Sequence, residues 1–252
     1  MPKVNMQKKM WAWHIFNHAI VLAGLVGAYF YDQWAYIITG YFLALAVGII
    51  SVNVALHRYL SHRSFKTGPK REVFLKYISM WCGLGPSIMW CIAHRHHHKY
   101  GDTSNDFQNP NIIGSFRSWF TIYPGVRFDR SLGRNLVNDI HHKIIYKYYF
   151  HILLSLYIVT FLINPWLVLV LFAMPCVVCF HGAASIGVLT HKWGYRVINS
   201  NDTSTNNILA AFLSMGEGWH NYHHARPGDY RNGYKWWEID PPAWVIERFF
   251  KL

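Results

Sequence analysis

Carboxylates are the scarcest functional groups in this chain. Only 12 Asp and Glu stand among 252 residues, against 24 Lys and Arg and 16 His, so imidazoles outnumber carboxylates. Charged residues make up 14%, where an ordinary soluble domain carries roughly a quarter. Four cysteines are too few for a disulfide scaffold at this length. No internal repeat or low-complexity tract is visible. What is abundant is apolar and aromatic: 52% hydrophobic and 17% Phe, Trp and Tyr. That composition excludes a disordered chain, which is poor in both classes. Low charge, many aromatics and a net charge of +12 together point to a membrane protein, and the histidine excess points to a metal.

Four apolar runs, residues 11–31, 34–56, 144–163 and 166–190, are each about as long as a bilayer-spanning helix requires, near 20 residues. Only one of them contains a Lys, Arg, Asp or Glu: Lys147, close enough to its end to snorkel to the interface. Tyr31-Asp32-Gln33 joins the first two and Asn164-Pro165 the last two, so each pair reads as a tight hairpin. None of the 24 Lys and Arg falls in either short connection. The positive-inside rule then places the N-terminus, the segment 57–143 and the segment 191–252 on the cytoplasmic side. The first run opens a hairpin and lacks a small-residue cleavage site, so it reads as a span and not a signal peptide. Residues 77–93 are also apolar but are interrupted by Gly83, Gly85 and Pro86. A crossing there would put neighbouring histidine motifs on opposite faces, so this stretch reads as interfacial or re-entrant.

The histidines form motifs. In order they are His57-Arg-Tyr-Leu-Ser-His62, His94-Arg-His-His-His98, the isolated His191, and His220-Asn-Tyr-His-His224. On an α-helix the i+3 and i+4 positions lie within about 60° of i, so each HxxHH presents three imidazoles on one face. His96, at i+2, points away and drops out as a ligand. The HxxxxH pair is about 140° apart on such a helix, so His57 and His62 either serve different metals or straddle a helix end. Nine candidate nitrogens, on His57, His62, His94, His97, His98, His191, His220, His223 and His224, exceed what one iron or zinc takes, and so suggest two metals. His14, His18, His96, His141, His142, His151 and His181 read as ordinary hydrogen-bonded residues, although His14 and His18 have a ligand-like i,i+4 spacing. Cys176 and Cys179 form a CxxC inside an apolar run, where they read as small helix residues and not as a zinc site.

Imidazole suits Fe, Cu, Zn and Ni; a nitrogen-rich pair of sites at a membrane face is best explained by iron handling O₂. Soluble carboxylate di-iron bundles need two ExxH motifs and two further Glu. Here the one ExxH is Glu217-Gly-Trp-His220, and Glu217 reads instead as the partner that orients a ligating imidazole. Asp106 is assigned the same role.

The runs HRYLSHRSFKT, HRHHHKYGDTSNDFQNP and GEGWHNYHHARPGDYRNG resemble the three histidine boxes of the membrane fatty acid desaturases, in the acyl-CoA (stearoyl-CoA, delta-9) desaturase-like branch. The tail WWEIDPPAWVIERF resembles bacterial members. The resemblance covers roughly residues 20–250. It implies an all-α integral membrane fold, with four transmembrane helices as two hairpins and a cytosolic helical cap carrying a di-iron site, all in one domain over 1–252. It also implies an enzyme that inserts a cis double bond, delta-9 by its branch, into a long acyl chain with O₂ and two external electrons. By position the nine histidines above match the iron ligands, with His191 as the isolated one. Many relatives carry an Asn four residues before that histidine, where this chain has Gly187. No haem-binding HPGG, cysteine cluster or flavin fingerprint occurs, so a separate electron donor is expected, a b-type cytochrome or a ferredoxin with its reductase. The other expected partners are a long-chain acyl-CoA or acyl-lipid, O₂ and the bilayer, with no nucleic acid. The basic face suits a CoA or lipid phosphate, or an acidic donor, and equally suits simple attraction to anionic lipid. The rival readings are a lipid hydroxylase or a carotenoid or sterol oxygenase of the same superfamily, and a metal-binding membrane carrier without turnover.

Overall fold

The computed structural model describes residues 3–120 and 129–252; residues 121–128 of the expected cap lie outside the described residues. The described residues are helical or irregular, with only isolated bridges pairing Tyr195 with Asn206 and Asn206 with Trp219. Four helices are long and apolar enough to cross a membrane: Met6–Tyr31 within α1 (Lys3–Tyr31), α2 (Trp34–Ser61), and, after five shorter helices, α8 (Ile140–Ile163) and α9 (Pro165–Leu189). The shorter ones are α3 (Pro69–Ile78), α4 (Ser87–Tyr100), α5 (Pro110–Ile113), α6 (Ser115–Trp119) and α7 (Arg134–Val137). Beyond α9 come α10 (Ile208–Leu213), α11 (His220–Ala225) and α12 (Pro241–Val245).

The two hairpins form where the sequence places turn chemistry. Asp32 takes a left-handed backbone conformation (φ 54°) between α1 and α2. Asn164 leaves α8 in an extended conformation, and its side chain accepts a hydrogen bond from Trp166 N–H while Pro165 opens α9. The helices are not equivalent. In α9, 56% of the apolar window is buried, against 22% in α8, so α2 and α9 form the inner pair and α1 and α8 carry the outer apolar surface. A Cβ on Gly40 of α2 would lie 3.3 Å from Val170 Cα of α9, so the absent side chain permits the close approach typical of helices packed in lipid. Asn17 of α1 and Tyr157 of α8 add a buried hydrogen bond of 2.6 Å between the outer helices.

Three of the long helices extend past the expected boundaries, and the first, expected from residue 11, already begins at Lys3. Residues 34–56 were expected as a span ending before the first histidine motif, but α2 runs through it to Ser61, because from Gly48 onward it is wound as a π-helix. α8 likewise begins at Ile140, where Asp139 caps it by accepting from His141 N and His142 N and also receives Lys76 Nζ at 2.6 Å. Residues 77–93 form no spanning helix. α3 stops at Ile78, Gly83 and Gly85 adopt positive φ, and Pro86 precedes α4. The intervening turn is wedged into the bundle: Trp81 Nε1 donates to Leu171 O at 2.6 Å, within the π-turn of α9, and Gly85 N donates to Tyr149 OH of α8.

Asp139 therefore serves both a helix N-terminus and a buried lysine. Asp139→Ala is expected to lower stability by about 1–2 kcal/mol, the usual range for a lost N-cap. Asp139→Asn, which keeps the cap, should lie between that variant and the parent. Thermal unfolding of the detergent-solubilised protein measures both.

Candidate metal centre

The nine candidate histidines converge into two groups. His57, His62, His94, His98 and His223 form one, and His97, His191, His220 and His224 the other, with potential ligand atoms in each lying within 4.8 Å of one another. The chain builds this arrangement by interleaving its motifs. In both HxxHH runs the i,i+4 pair enters one group and the i+3 histidine enters the other: His94 and His98 apart from His97, and His220 and His224 apart from His223. Each HxxHH thus divides its three imidazoles between the two groups. The i+3 and i+4 positions diverge by about 100° around the axis, enough for one helix to feed two centres lying on either side of its leading edge.

His57 and His62 enter the same group, which an α-helix could not arrange. The π-helix closes i→i+5 hydrogen bonds, and His62 N donates to His57 O at 3.2 Å. Residues five apart thus come round to nearly the same face, with His62 as the cap residue at the helix end. The second motif docks on this end. Arg95, between two histidines, donates from Nε to Ser61 O at 2.8 Å and from Nη2 to Leu60 O at 2.7 Å. Those are terminal carbonyls of α2 that would otherwise lack partners.

Within the five-histidine group the Nε2 atoms approach in pairs: His62 and His94 at 2.7 Å, His57 and His223 at 3.0 Å, His98 and His223 at 3.0 Å, His94 and His98 at 3.1 Å. Across both groups, four of the opposite nitrogens face carboxylates. His57 Nδ1 donates to Glu217 Oε2 at 2.6 Å, His97 Nδ1 to Asp106 Oδ2 at 3.0 Å and His224 Nδ1 to Asp202 Oδ2 at 2.7 Å, while His191 Nδ1 faces Asp102 Oδ1 at 3.7 Å. A carboxylate only accepts, so each of the three bonded imidazoles carries a proton on Nδ1, and in the neutral form it offers a bare lone pair from Nε2. Nε2 of His191, His220 and His224 is buried without a hydrogen-bond partner among the described residues. Cis nitrogens on one six-coordinate ion with bonds of about 2.1 Å would sit about 3.0 Å apart. The donor set and its spacing thus fit two nitrogen-bound transition metals.

The electrostatics agree. Burial pushes His94, His98, His220 and His223 well below the ordinary imidazole range, and pushes His224 down to about 4 despite its bond to Asp202. These rings are neutral, as ligation requires. Burial alone would push Glu217 up, yet the neighbouring Arg58 and His57 outweigh it and hold the carboxyl at about 2.

Glu217 has a second task. Arg58, buried at the end of α2, donates to Glu217 Oε1 from Nε and Nη2, to Tyr230 O and to Asp240 Oδ2, while Asn232 Nδ2 donates to Glu217 Oε2. The C-terminal segment is thereby fastened beneath the first motif. Sequence reasoning anticipated contacts at Glu217 and Asp106 but missed Asp102, Asp202, Arg58 and Asp240. Their only signal was a scarce carboxylate or an arginine adjoining a histidine motif.

Of the histidines read as ordinary, His96 Nε2 pairs with Asn105 O at 2.9 Å and His142 Nδ1 with Ser87 Oγ at 2.7 Å, both outside the two groups. The four cysteines are free and buried. An apolar cavity adjoins both groups. His57 and His94 from one, and His97 and His220 from the other, line it together with Val52, Leu84, Phe180 and Gly187. A Cβ at Gly187 would meet nothing within 4 Å.

Removing Arg58 would strand two buried carboxylates. Arg58→Met is expected to cost about 3–5 kcal/mol, as for a broken buried ion pair, and Arg58→Lys should recover little because one ammonium cannot reproduce the planar fork. Chemical denaturation of the purified variants reads this out.

The sequence profile of the fatty acid desaturase family matches residues 32–251. Among characterised proteins the chain is 33% identical over 231 residues to an icosanoyl-CoA 5-desaturase of Limnanthes douglasii, covering 86% of this chain and 63% of that one. It is 34% identical over 224 residues to delta-9 acyl-lipid desaturase 1 of Arabidopsis thaliana, covering 83% and 70%. It is 31% identical over 228 residues to an sn-1 stearoyl-lipid 9-desaturase of Anabaena variabilis, covering 87% and 82%. The chain thus spans less than two thirds of the Limnanthes protein's length. Four apolar helices, histidines gathered in two groups and this similarity converge on one conclusion: the chain belongs to the fatty acid desaturase family.

Proposed function

We propose that this protein is a membrane di-iron fatty acyl desaturase that introduces a cis double bond, at the delta-9 position, into a long saturated acyl chain. The observation that carries the proposal is that both histidine groups open onto one apolar cavity among the membrane-spanning helices. A metal carrier would place its ligands for entry and exit, with no need for such a cavity.

The chemistry dictates the division of labour. A saturated methylene has neither an acidic proton nor a polarised bond, so no side chain removes its hydrogen; bound iron supplies the oxidising power for that step. O₂ accepts four electrons, two with the pair of hydrogens lost from adjacent carbons and two from an external donor together with two protons from solvent, and leaves as two waters. The protein's own residues do the rest. His57, His62, His94, His98 and His223 would hold one iron, and His97, His191, His220 and His224 the other. Glu217, Asp106 and Asp202, accepting Nδ1 protons, aim the opposite lone pairs and fix the tautomers. Leu84, Phe180 and the other apolar walls exclude water and hold one carbon pair against the metal-binding end.

The basic residues' absence from the two hairpin tips supports a topology with both termini and the metal centre on the cytoplasmic side. That side is where an acyl-CoA or acyl-lipid and an external donor, a b-type cytochrome or a ferredoxin with its reductase, would meet the protein.

Expression in a host lacking its own desaturase, followed by gas chromatography of total fatty acids, tests the proposal. Monounsaturated product should appear, and the purified protein should carry about two irons per chain, matching its two histidine groups. His97→Ala and His223→Ala should remove iron and product while the protein remains in the membrane. His96→Gln should retain both. Zinc as the bound metal, or no unsaturated product from the parent chain, would overturn the reading.

A further inference from the structure

A third set of histidines lies outside the two groups, within the helical bundle. The short helix α6 ends on Trp119, whose side chain lines the cavity beside Ser118, Phe180 and Ala183. Its indole Nε1–H donates to His181 Nδ1 on α9 at 3.0 Å. His181 Nε2 lies 3.1 Å from His18 Nε2 on α1, and His18 Nδ1 lies 2.7 Å from the backbone oxygen of His14. The two ends fix the polarity of the whole series. An indole N–H can only donate and a carbonyl oxygen can only accept. His181 Nδ1 must therefore be the bare nitrogen, leaving its proton on Nε2 to donate to His18. His18 in turn keeps its proton on Nδ1 for the carbonyl of His14. Each imidazole is neutral, donates once and accepts once, so the series closes without an unmet group. A fully satisfied polar network in an apolar interior is a rigid one.

This relay joins three separate pieces of the fold: α6 from the segment between the hairpins, α9 from the inner pair and α1 from the outer. His181 and His18 stand behind the wall, while Trp119 faces the cavity, as does His14 at the far end of the series. Of the five α9 residues on that cavity, Ala183, Ala184 and Gly187 are small, beside Phe180 and Ile186, so the indole supplies bulk that much of the facing helix does not. Without its hydrogen bond the ring would be free to turn, and the width would change with it.

We propose that Trp119 is a specificity-determining wall of the acyl cavity, and that His181 and His18 are positioning residues whose hydrogen-bond relay holds the indole in the orientation that selects acyl chain length. The inference rests on the desaturase reading above. The test uses the same desaturase-deficient host, fed saturated fatty acids of graded length, with the ratio of long to short monounsaturated products as the readout. Trp119→Ala removes the wall and His181→Leu removes the acceptor; each should shift that ratio by about fivefold or more, the scale of discrimination an apolar pocket provides. His181→Asn places an oxygen where Nδ1 stood, so it should keep the ratio within about twofold of the parent. Should His181→Leu fail to accumulate in the membrane, Trp119→Phe carries the same test, since it keeps a ring and loses the N–H. Iron content should equal the parent's in every variant; iron loss in Trp119→Ala or His181→Leu would overturn the proposal by moving the effect to the metal centre. An active parent whose variants all keep its ratio would overturn both the wall and the relay and leave the desaturase reading standing. A parent with no unsaturated product would overturn the desaturase reading, and this inference with it.

Discussion

Nine imidazoles gathered in two groups, five of them buried and four half-buried, are an unfavourable arrangement for a protein on its own. Neutral nitrogens 2.7–3.1 Å apart repel unless a proton or a cation lies between them, and burial disfavours the proton. Everything around the centre works to sustain this condition. Four of the chain's 12 carboxylates, Glu217, Asp102, Asp106 and Asp202, stand behind imidazoles and face their outer nitrogens. The carboxylates fix which nitrogen is protonated, and so which lone pair is presented. A chain poor in acidic residues has placed a third of them where a histidine would otherwise choose its own tautomer.

The scaffold follows from the same demand. Residues distant in sequence must meet at the ends of helices that are themselves confined by apolar surface. The inner helices bring the first motif and the approach to His191, α4 and α11 bring the two HxxHH runs, and Arg58 and Arg95 bind the pieces together through carbonyls and carboxylates. The cavity is the space left between this centre and the spanning helices. Its position explains why an apolar substrate and a polar metal centre can share a boundary: the imidazoles form one end and aliphatic and aromatic walls form the remainder.

Much of this was legible in the residues. Long uncharged runs with polar hinges disclosed the two hairpins, because a bilayer imposes a length and forbids charge. The glycine and proline interruptions at 83–86 disclosed that the fifth apolar stretch would not cross. Eight of the nine converging histidines were marked by repetition and spacing, and the isolated His191 by the family resemblance. Their division between the two groups was not, since periodicity shows that His97 and His98 share a face and is silent on which side of it a second centre lies. The π-helical winding of α2 left no trace either, because it depends on packing and carries no residue-type signature. Asp102 and Asp202 looked like any loop aspartates, and His18, Trp119 and His181 are brought together only by the fold.

That winding has a bearing on how the chain can vary. A π-helix holds more residues per turn than an α-helix, so the stretch from Gly48 to Ser61 stores surplus length that sets the rotational phase of His57 and His62. Losing a single residue there would let the backbone relax to the commoner winding and swing both rings out of alignment, although every side chain type remained. Insertions and deletions should therefore be purged from this span of the lineage.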